Sequence, residues 1–565
     1  MIRIPTLALV AALLGACATV PATPDVPNPA VAPSVTGAAD GALAGQLDSI
    51  ARAAFPADAP GAAVLVRRGN DVLLRAGYGM ANLELGVPVQ PGQVFRIGSV
   101  TKQFTAAAVL RLAEQGKLSL DDEITRFLPD WPTHGHRITV ASLLDHTSGI
   151  TSYTGLPQWR GLVRQDLTLD SLLALFRDQP MAFAPGERWE YNNSAYVLLG
   201  AVIEKASGRS YEDYVEQELF APLQLEHTRY GRVEELVPGL VDGYQRIREG
   251  WAPAAYLSLT QPYAAGSLLS SVDDLDRWIG ALKDGRVLSP ASLERAWTAG
   301  RLRSGLHTTY GFGWFVSDLY GERSIEHSGG IHGFSSYQLW LPGPDLRVFV
   351  LANSQSPPRS PGALAQELAR VALGLREPET YAVSPTALPQ YVGVYRLEPQ
   401  PRDVIRRGDT LFTRTGNADY VALRAVARDE FVIAGSQNRL IFERPTGGPV
   451  IGVRYRPRIG PEARGVRTAE TAVERPAVQL PAAVLDRYLG TYQLTPDIQL
   501  VVTRDGDRLL GEPTGQPQRV LRAHSETEFE PVGVDARLVF QVAAGRATGL
   551  VLHQGGRATN APRVR

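Results

Sequence analysis

Beyond residue 388 the chain is written twice. Tyr391-x-Gly393-x-Tyr395 returns as Tyr488-x-Gly490-x-Tyr492, an offset of 97. Gly408-Asp409-x-Leu411 returns as Gly506-Asp507-x-Leu509, Leu423-Arg424 as Leu521-Arg522, and Glu430-Phe431 as Glu528-Phe529. Arg439-Leu440-Ile441-Phe442 returns as Arg537-Leu538-Val539-Phe540, and these last four matches share an offset of 98. A period this long, used twice, describes tandem domains; solenoid units are shorter and need more copies to bury a continuous core. Short strands broken by turns fill both copies. Each is therefore predicted to form a small antiparallel β-barrel, one over 388–475 and one over 479–565.

The whole chain has 565 residues, too many for one hydrophobic core, so the part before the repeat must fold separately. Its composition is that of a globular protein, 44% hydrophobic and 20% charged. A net charge of −1 leaves no basic footprint for nucleic acid. From 46 to 378 strand-like and helix-like segments alternate. Ala62–Arg68 and Val72–Gly77 flank a Gly69-Asn70-Asp71 turn and predict a hairpin. Phe104, Ala108, Val109 and Leu112 recur at helical spacing over 99–115, with Gly116 as a stop. Further helices are predicted at 194–206 and 272–283, the latter capped by Ser271. Two late strands surround the turn Pro342-Gly343-Pro344-Asp345. Strands early and late with helices between predict an α+β domain on an antiparallel sheet.

The N-terminus reads as an export signal over 1–16: Arg3, a short apolar run, then small residues. Leu14-Gly15-Ala16-Cys17 resembles a bacterial lipobox, which implies cleavage before Cys17 and lipid attachment there. Ala18, where Asp would favour inner-membrane retention, points to an exported lipoprotein on the periplasmic side, at the outer membrane. Residues 17–45 are rich in Ala and Pro and read as a tether. Cys17 is the single cysteine, so the chain can form no internal disulfide or cysteine–zinc site.

Four of the 57 basic residues are lysines: Lys102, Lys117, Lys205 and Lys283. Codon bias in a GC-rich genome would be a bland cause of the arginine excess. A position that keeps lysine is one where losing a proton could matter, since arginine cannot lose its own. Lys102 ends Ser99-Val100-Thr101-Lys102 at a predicted helix start. This spacing puts hydroxyl and amine one turn apart on one face. Burial and the positive helix end would lower the amine's pKa, and the Ser99 N–H could serve an oxyanion. The bland alternative is a surface lysine beside a capping serine.

Two more strings carry chemistry. In Tyr191-Asn192-Asn193 the tyrosine, beside an amine, could act as general base and Asn193 could bind a substrate amide. Taken alone, the string favours a helix cap below a buried tyrosine. In His327-Ser328-Gly329-Gly330 the glycines let a substrate approach a strand edge, and His327 could polarise or relay a proton. His332 reads as structural.

Ser-x-x-Lys, Tyr-x-Asn and His-x-Gly in this order resemble the serine β-lactamase, penicillin-binding protein and esterase superfamily (peptidase S12-like). Leu143–Gly149 and Gly266–Leu275 look like the same family, with His146 structural. The resemblance implies a β-lactamase-like domain over 46–378, an antiparallel sheet flanked by helices with a helical subdomain. It implies that Ser99 is acylated, that Lys102 and Tyr191 share the proton work, and that His327 belongs to the catalytic set. Asn193, Gly329 and Gly330 would bind substrate, Gly330 through a second oxyanion N–H. Histidine at 327, where Lys-Thr-Gly relatives hold a fixed charge, argues against strong carboxylate recognition. Followed by two lipocalin-like barrels, this architecture is similar to D-stereospecific aminopeptidases, in which a barrel loop enters the active-site mouth. The expectation is a serine hydrolase acting on small-molecule or short-peptide amides or esters. The alternatives are a carboxylesterase, a β-lactamase, a penicillin-binding sensor without turnover, and a glycan-binding lipoprotein with an inert hydrolase domain. No metal or organic cofactor is implied. The expected partners are a substrate and, through the lipid anchor, a membrane.

Overall fold

The computed structural model describes residues 38–564, except 248–249, 376–379, 398–400, 417, 435, 461, 473–476, 497, 515–517, 535 and 555–556. The export signal, Cys17 and the tether as far as residue 37 lie outside the described residues. Helix α1, Ala38–Ala54, begins inside the segment whose composition suggests a tether. Its Leu47, Ala51 and Ala54, with the following Phe55, are buried against the sheet. Those spacings of four and three make an apolar stripe, which the Ala/Pro-rich composition obscures.

The predicted hairpin is present as β1, Ala62–Arg68, and β2, Asp71–Tyr78, turning at Gly69 in the left-handed region. Four late strands complete the sheet: β3 Phe315–Leu319, β4 Glu322–Ile331, β5 Phe334–Leu341 and β6 Leu346–Ala352. The order is β3-β4-β5-β6-β1-β2, and each pairing is antiparallel. β1 over Ala62–Val66 and β6 over Val348–Ala352 are apolar on both faces because each face is covered. One face packs on α1 and on α5, Pro361–Ala372. The other packs on α2, Thr101–Glu114, α3, Asn193–Ser207, and α4, Val272–Lys283. The Ser271 hydroxyl accepts from the Asp274 N–H at the start of α4, as predicted. The domain is β-lactamase-like, a sheet with helices on both sides and a helical subdomain.

Both repeats are eight-stranded antiparallel barrels. The first, from Gly393–Arg396 to Ala463–Arg467, is closed. The second, from Gly490–Thr495 to Arg557–Pro562, is brought together by the Tyr492–Arg563 bridge. The repeated Tyr-x-Gly-x-Tyr has one physical role in both copies. Tyr395 Oη donates to the Tyr391 carbonyl at 2.8 Å, and Tyr492 Oη donates to the Tyr488 carbonyl at 2.7 Å. Tyr391 then meets Phe431 and Phe442 at 5.0 and 4.9 Å between ring centres, and Tyr488 meets Phe529 and Phe540 at 5.2 and 4.7 Å.

Barrel 1 docks on the sheet edge at β3 and β4. Arg458, in the turn after strand Gly452–Arg456, reaches across to Glu326 on β4. Its Nη2 donates to Glu326 Oε2 at 2.8 Å and to Tyr337 Oη at 2.8 Å, and its Nη1 donates to Glu326 Oε1 and, at 3.2 Å, to Ser317 Oγ. The two side chains are 7% and 0% exposed, so this is a buried ion pair between domains. The Gly460 N–H adds a hydrogen bond to Thr309 Oγ1.

Candidate active site

The nucleophile candidate sits on a sharp turn. Gly98 has φ of +52°, and a Cβ there would come within 2.9 Å of Gly330 N. Only glycine satisfies both conditions. A 3-10 turn, Gly98–Val100, follows and runs into α2 without a side-chain cap, so Ser99 stands at the helix start. Thr101 and Thr105, one turn apart, tie α2 to the 264–268 loop: Thr101 Oγ1 accepts from the Leu268 N–H at 3.1 Å and Thr105 Oγ1 donates to the Ala264 carbonyl at 2.7 Å. That loop delivers the neighbouring Ala265 carbonyl to Lys102.

Lys102 is fully buried, and its Nζ meets three acceptors: Asn193 Oδ1 at 2.8 Å, the Ala265 carbonyl at 2.8 Å and Ser99 Oγ at 3.3 Å. Aromatic rings of Tyr191 and Tyr196 lie 4.8 and 5.3 Å away. Among the described residues no carboxylate contacts it, and desolvation holds its pKa well below the usual lysine value. A neutral amine has two hydrogens and one lone pair. The two short bonds use the hydrogens, which leaves the lone pair for the Ser99 hydroxyl. This arrangement is that of a general base.

Tyr191 behaves differently from the sequence expectation. Burial of Tyr191 pushes its phenol up, and the nearby Ser99 hydroxyl opposes the rise only in part. The Tyr191 hydroxyl is buried and faces Ser99 without a well-formed hydrogen bond. It is placed to hold or pass a proton as a neutral phenol, not to remove one as a phenolate. Asn193, first residue of α3, orients Lys102 and donates from Nδ2 to Thr154 Oγ1 at 3.4 Å. In this state its amide oxygen serves the lysine and not a substrate.

The strand string divides into roles. Gly330 is exposed and borders the cleft with Ser99, whereas Gly329 is buried: a Cβ there would come within 2.0 Å of the Ile97 carbonyl and 2.2 Å of Ser336 Oγ. Gly329 therefore permits β4 to press on the Ser99 turn and does not line the substrate space. His327 is likewise withdrawn. Its Nδ1 is 2.6 Å from the Ser328 carbonyl, which requires a proton there, so Nε2 accepts from Tyr310 Oη at 2.9 Å. Burial is the main cause that lowers its pKa to about 3. Buried, with both ring nitrogens engaged, the imidazole is not among the residues lining the cleft. It positions the ring cluster behind Tyr191.

That cluster contains residues outside the three strings read as carrying chemistry. His146, with φ of +62°, lies 4.5 Å between ring centres from both Tyr191 and Tyr310. Its Nδ1 accepts the Asn192 N–H at 3.2 Å, just before the α3 start. Tyr310 belongs to Tyr310-Gly311-Phe312-Gly313-Trp314, where a Cβ on Gly313 would come within 2.7 Å of the Lys102 carbonyl. Alternating glycines and aromatics were the available signal. Ala265 directly precedes the Gly266 string.

The cleft has a volume of about 120 Å³ and is lined by Ser99, Tyr153, Thr154, Asn193, Leu257 and Gly330, among others. The described lining residues include no Lys, Arg, Asp or Glu, and all belong to the 46–378 region. His332 borders it, with Nδ1 3.0 Å from the Ala255 carbonyl.

Among the described residues of this site, Lys102 is the group whose lowered pKa bears on the working pH range, since burial has moved Tyr191 up and His327 down. The base must be unprotonated, so kcat/KM is expected to rise with pH through the lowered Lys102 pKa and then level. The same acid limb should persist in Tyr191→Phe at reduced rate. A pH–rate profile whose limb vanishes in that variant would transfer the base role to the tyrosine.

The chain is similar to several known proteins. A penicillin-binding protein of Bacillus subtilis (strain 168) is 30% identical over 367 residues, spanning 59% of this chain and 79% of the relative. The octameric penicillin-binding protein homologue from Pyrococcus abyssi superposes with a TM-score of 0.52 at 27% identity, covering 75% of this chain and 99% of that one. A D-stereospecific amidohydrolase from Streptomyces sp. gives 0.51 at 28% identity, covering 58% and 97%. The Beta-lactamase family profile matches residues 50–373. With that match spanning more than half of its length, the chain belongs to the Beta-lactamase family.

Proposed function

We propose that this protein hydrolyses small, uncharged amides or esters through an acyl-Ser99 intermediate. The observation that carries the reading is the Lys102 amine, with both hydrogens engaged and its lone pair left for Ser99. In acylation Lys102 takes the Ser99 proton as Oγ attacks the carbonyl carbon. The oxyanion is met by the N–H groups of Ser99 and Gly330. The proton leaves with the departing amine or alcohol by way of Tyr191, and water completes the reverse sequence on the ester.

The absence of Lys, Arg, Asp and Glu from the described lining disfavours substrates held by a carboxylate or an ammonium group, and so favours neutral ones. The likeness to a D-stereospecific amidohydrolase supports amides, including those of D-amino acids. The leader and Cys17 support export and lipid attachment.

Intact-mass spectrometry tests the chemistry. Incubation with a fluorophosphonate should add one mass adduct, mapped to Ser99 and missing from Ser99→Ala. With p-nitrophenyl acetate the adduct should form and clear. An adduct that never clears would make the protein a covalent sink, and one that forms on Ser99→Ala would place the nucleophile elsewhere.

A further inference from the structure

The two barrels share one end and differ at the other. Strand register gives the equivalences. Val404 pairs with Thr413 in barrel 1 and Val502 with Gly511 in barrel 2, so Gly511 stands where Thr413 does. Arg402 and Leu500 each precede that valine by two residues and share its face. Leu440 pairs with Tyr455, and Leu538 with Leu552, so Leu552 stands where Tyr455 does.

In barrel 1 these positions fill the interior. The Arg402 guanidinium lies 4.6 Å from the centre of the Tyr455 ring, and its Nη1 donates to Thr413 Oγ1 at 3.4 Å. In barrel 2 a leucine replaces the arginine, a glycine the threonine and a leucine the tyrosine. What is left is a cavity of about 280 Å³. Leu494, Leu500, Leu521, Leu538 and Leu552 line it, and Arg519 stands at its exposed rim with Thr495. A space walled by leucine is a poor site for water. Eight strands give a barrel interior wide enough for one small ligand when side chains do not fill it.

We propose that barrel 2 is a binding cup for a single unbranched aliphatic chain ending in a carboxylate, a medium-chain fatty acid. The tail occupies the leucine-lined cavity and the carboxylate meets Arg519. At about 30 Å³ for a group the size of a water molecule, the cavity holds a tail of roughly nine heavy atoms. This binding is separate from the Ser99 cleft, which lies in another domain.

Isothermal titration of the full-length protein with hexanoate, octanoate, decanoate and tetradecanoate tests it. Affinity should rise about fourfold per added methylene, the equivalent of ~0.8 kcal/mol, and stop rising once the tail outgrows the cavity. Leu552→Tyr, which installs the barrel 1 residue, should weaken decanoate at least tenfold while melting temperature and ester hydrolysis stay at wild-type values. Arg519→Gln, at an exposed position, should weaken decanoate several-fold and leave decanol unchanged. No saturable binding at any chain length overturns the proposal. So does decanoate affinity that is unmoved in a folded Leu552→Tyr protein, and equal loss of decanol and decanoate in Arg519→Gln overturns the carboxylate assignment.

Discussion

Lys102→Arg should leave a folded protein whose kcat toward p-nitrophenyl acetate is lower by about 10⁴, the size of effect seen when one member of a nucleophile–base unit is removed. The substitution keeps a cationic head group but removes the base, since burial lowers the pKa of the wild-type amine and so favours its neutral form. A guanidinium cannot give up its proton in a protein and offers no lone pair. It would also have to fit where Nζ now meets Asn193, Ala265 and Ser99 within 3.3 Å. Steady-state hydrolysis checks the loss, and fluorophosphonate labelling shows which step fails. If labelling of Lys102→Arg proceeds at the wild-type rate, Ser99 is activated by some other group and the role of Lys102 is wrong.

Arg458→Met should destabilise the hydrolase domain, although residue 458 lies in barrel 1. The substitution leaves the fully buried Glu326 carboxylate without its cation, and stripping one partner from a buried pair costs about 3–5 kcal/mol. Tyr337 and Ser324 still donate to Glu326 and soften the loss. The double variant Arg458→Met/Glu326→Gln removes the stranded charge and should recover most of the stability. Deleting 388–565 takes Arg458 away as well and should resemble the single variant. Urea unfolding followed by tryptophan fluorescence measures all three. A single variant as stable as wild type would mean that the pair carries no net stabilisation. Because Glu326 precedes His327 on β4, the single variant should also lower kcat through movement of the Gly330 edge, and the double variant should restore it.

Local chemistry was legible in the sequence, and distant chemistry was not. Ser99 and Lys102 could be paired because helix geometry fixes what three residues of separation means. The starts of α2 and α4, the first hairpin and the duplicated barrels follow from similarly local rules. The protonation behaviour of Lys102 and Tyr191 was not legible in this way, because it depends on burial supplied by remote helices. Glycines at 329 and 330 look alike in the sequence, yet the Ile97 carbonyl crowds only one of them. His146, Tyr310, Glu326 and Arg458 each act through contacts across many residues, and nothing in their immediate neighbours announces a partner.

The tyrosine lock repeated in both barrels has a practical consequence. Tyr395 on Tyr391 and Tyr492 on Tyr488 fix one end of each frame by the same bond, while the opposite ends hold different residues at matched register. The register-matched positions of one barrel thus have counterparts in the same polypeptide, at the same concentration and under the same solvent. The molecule carries its own internal control: a substitution made in one copy can be calibrated against its twin without a second protein.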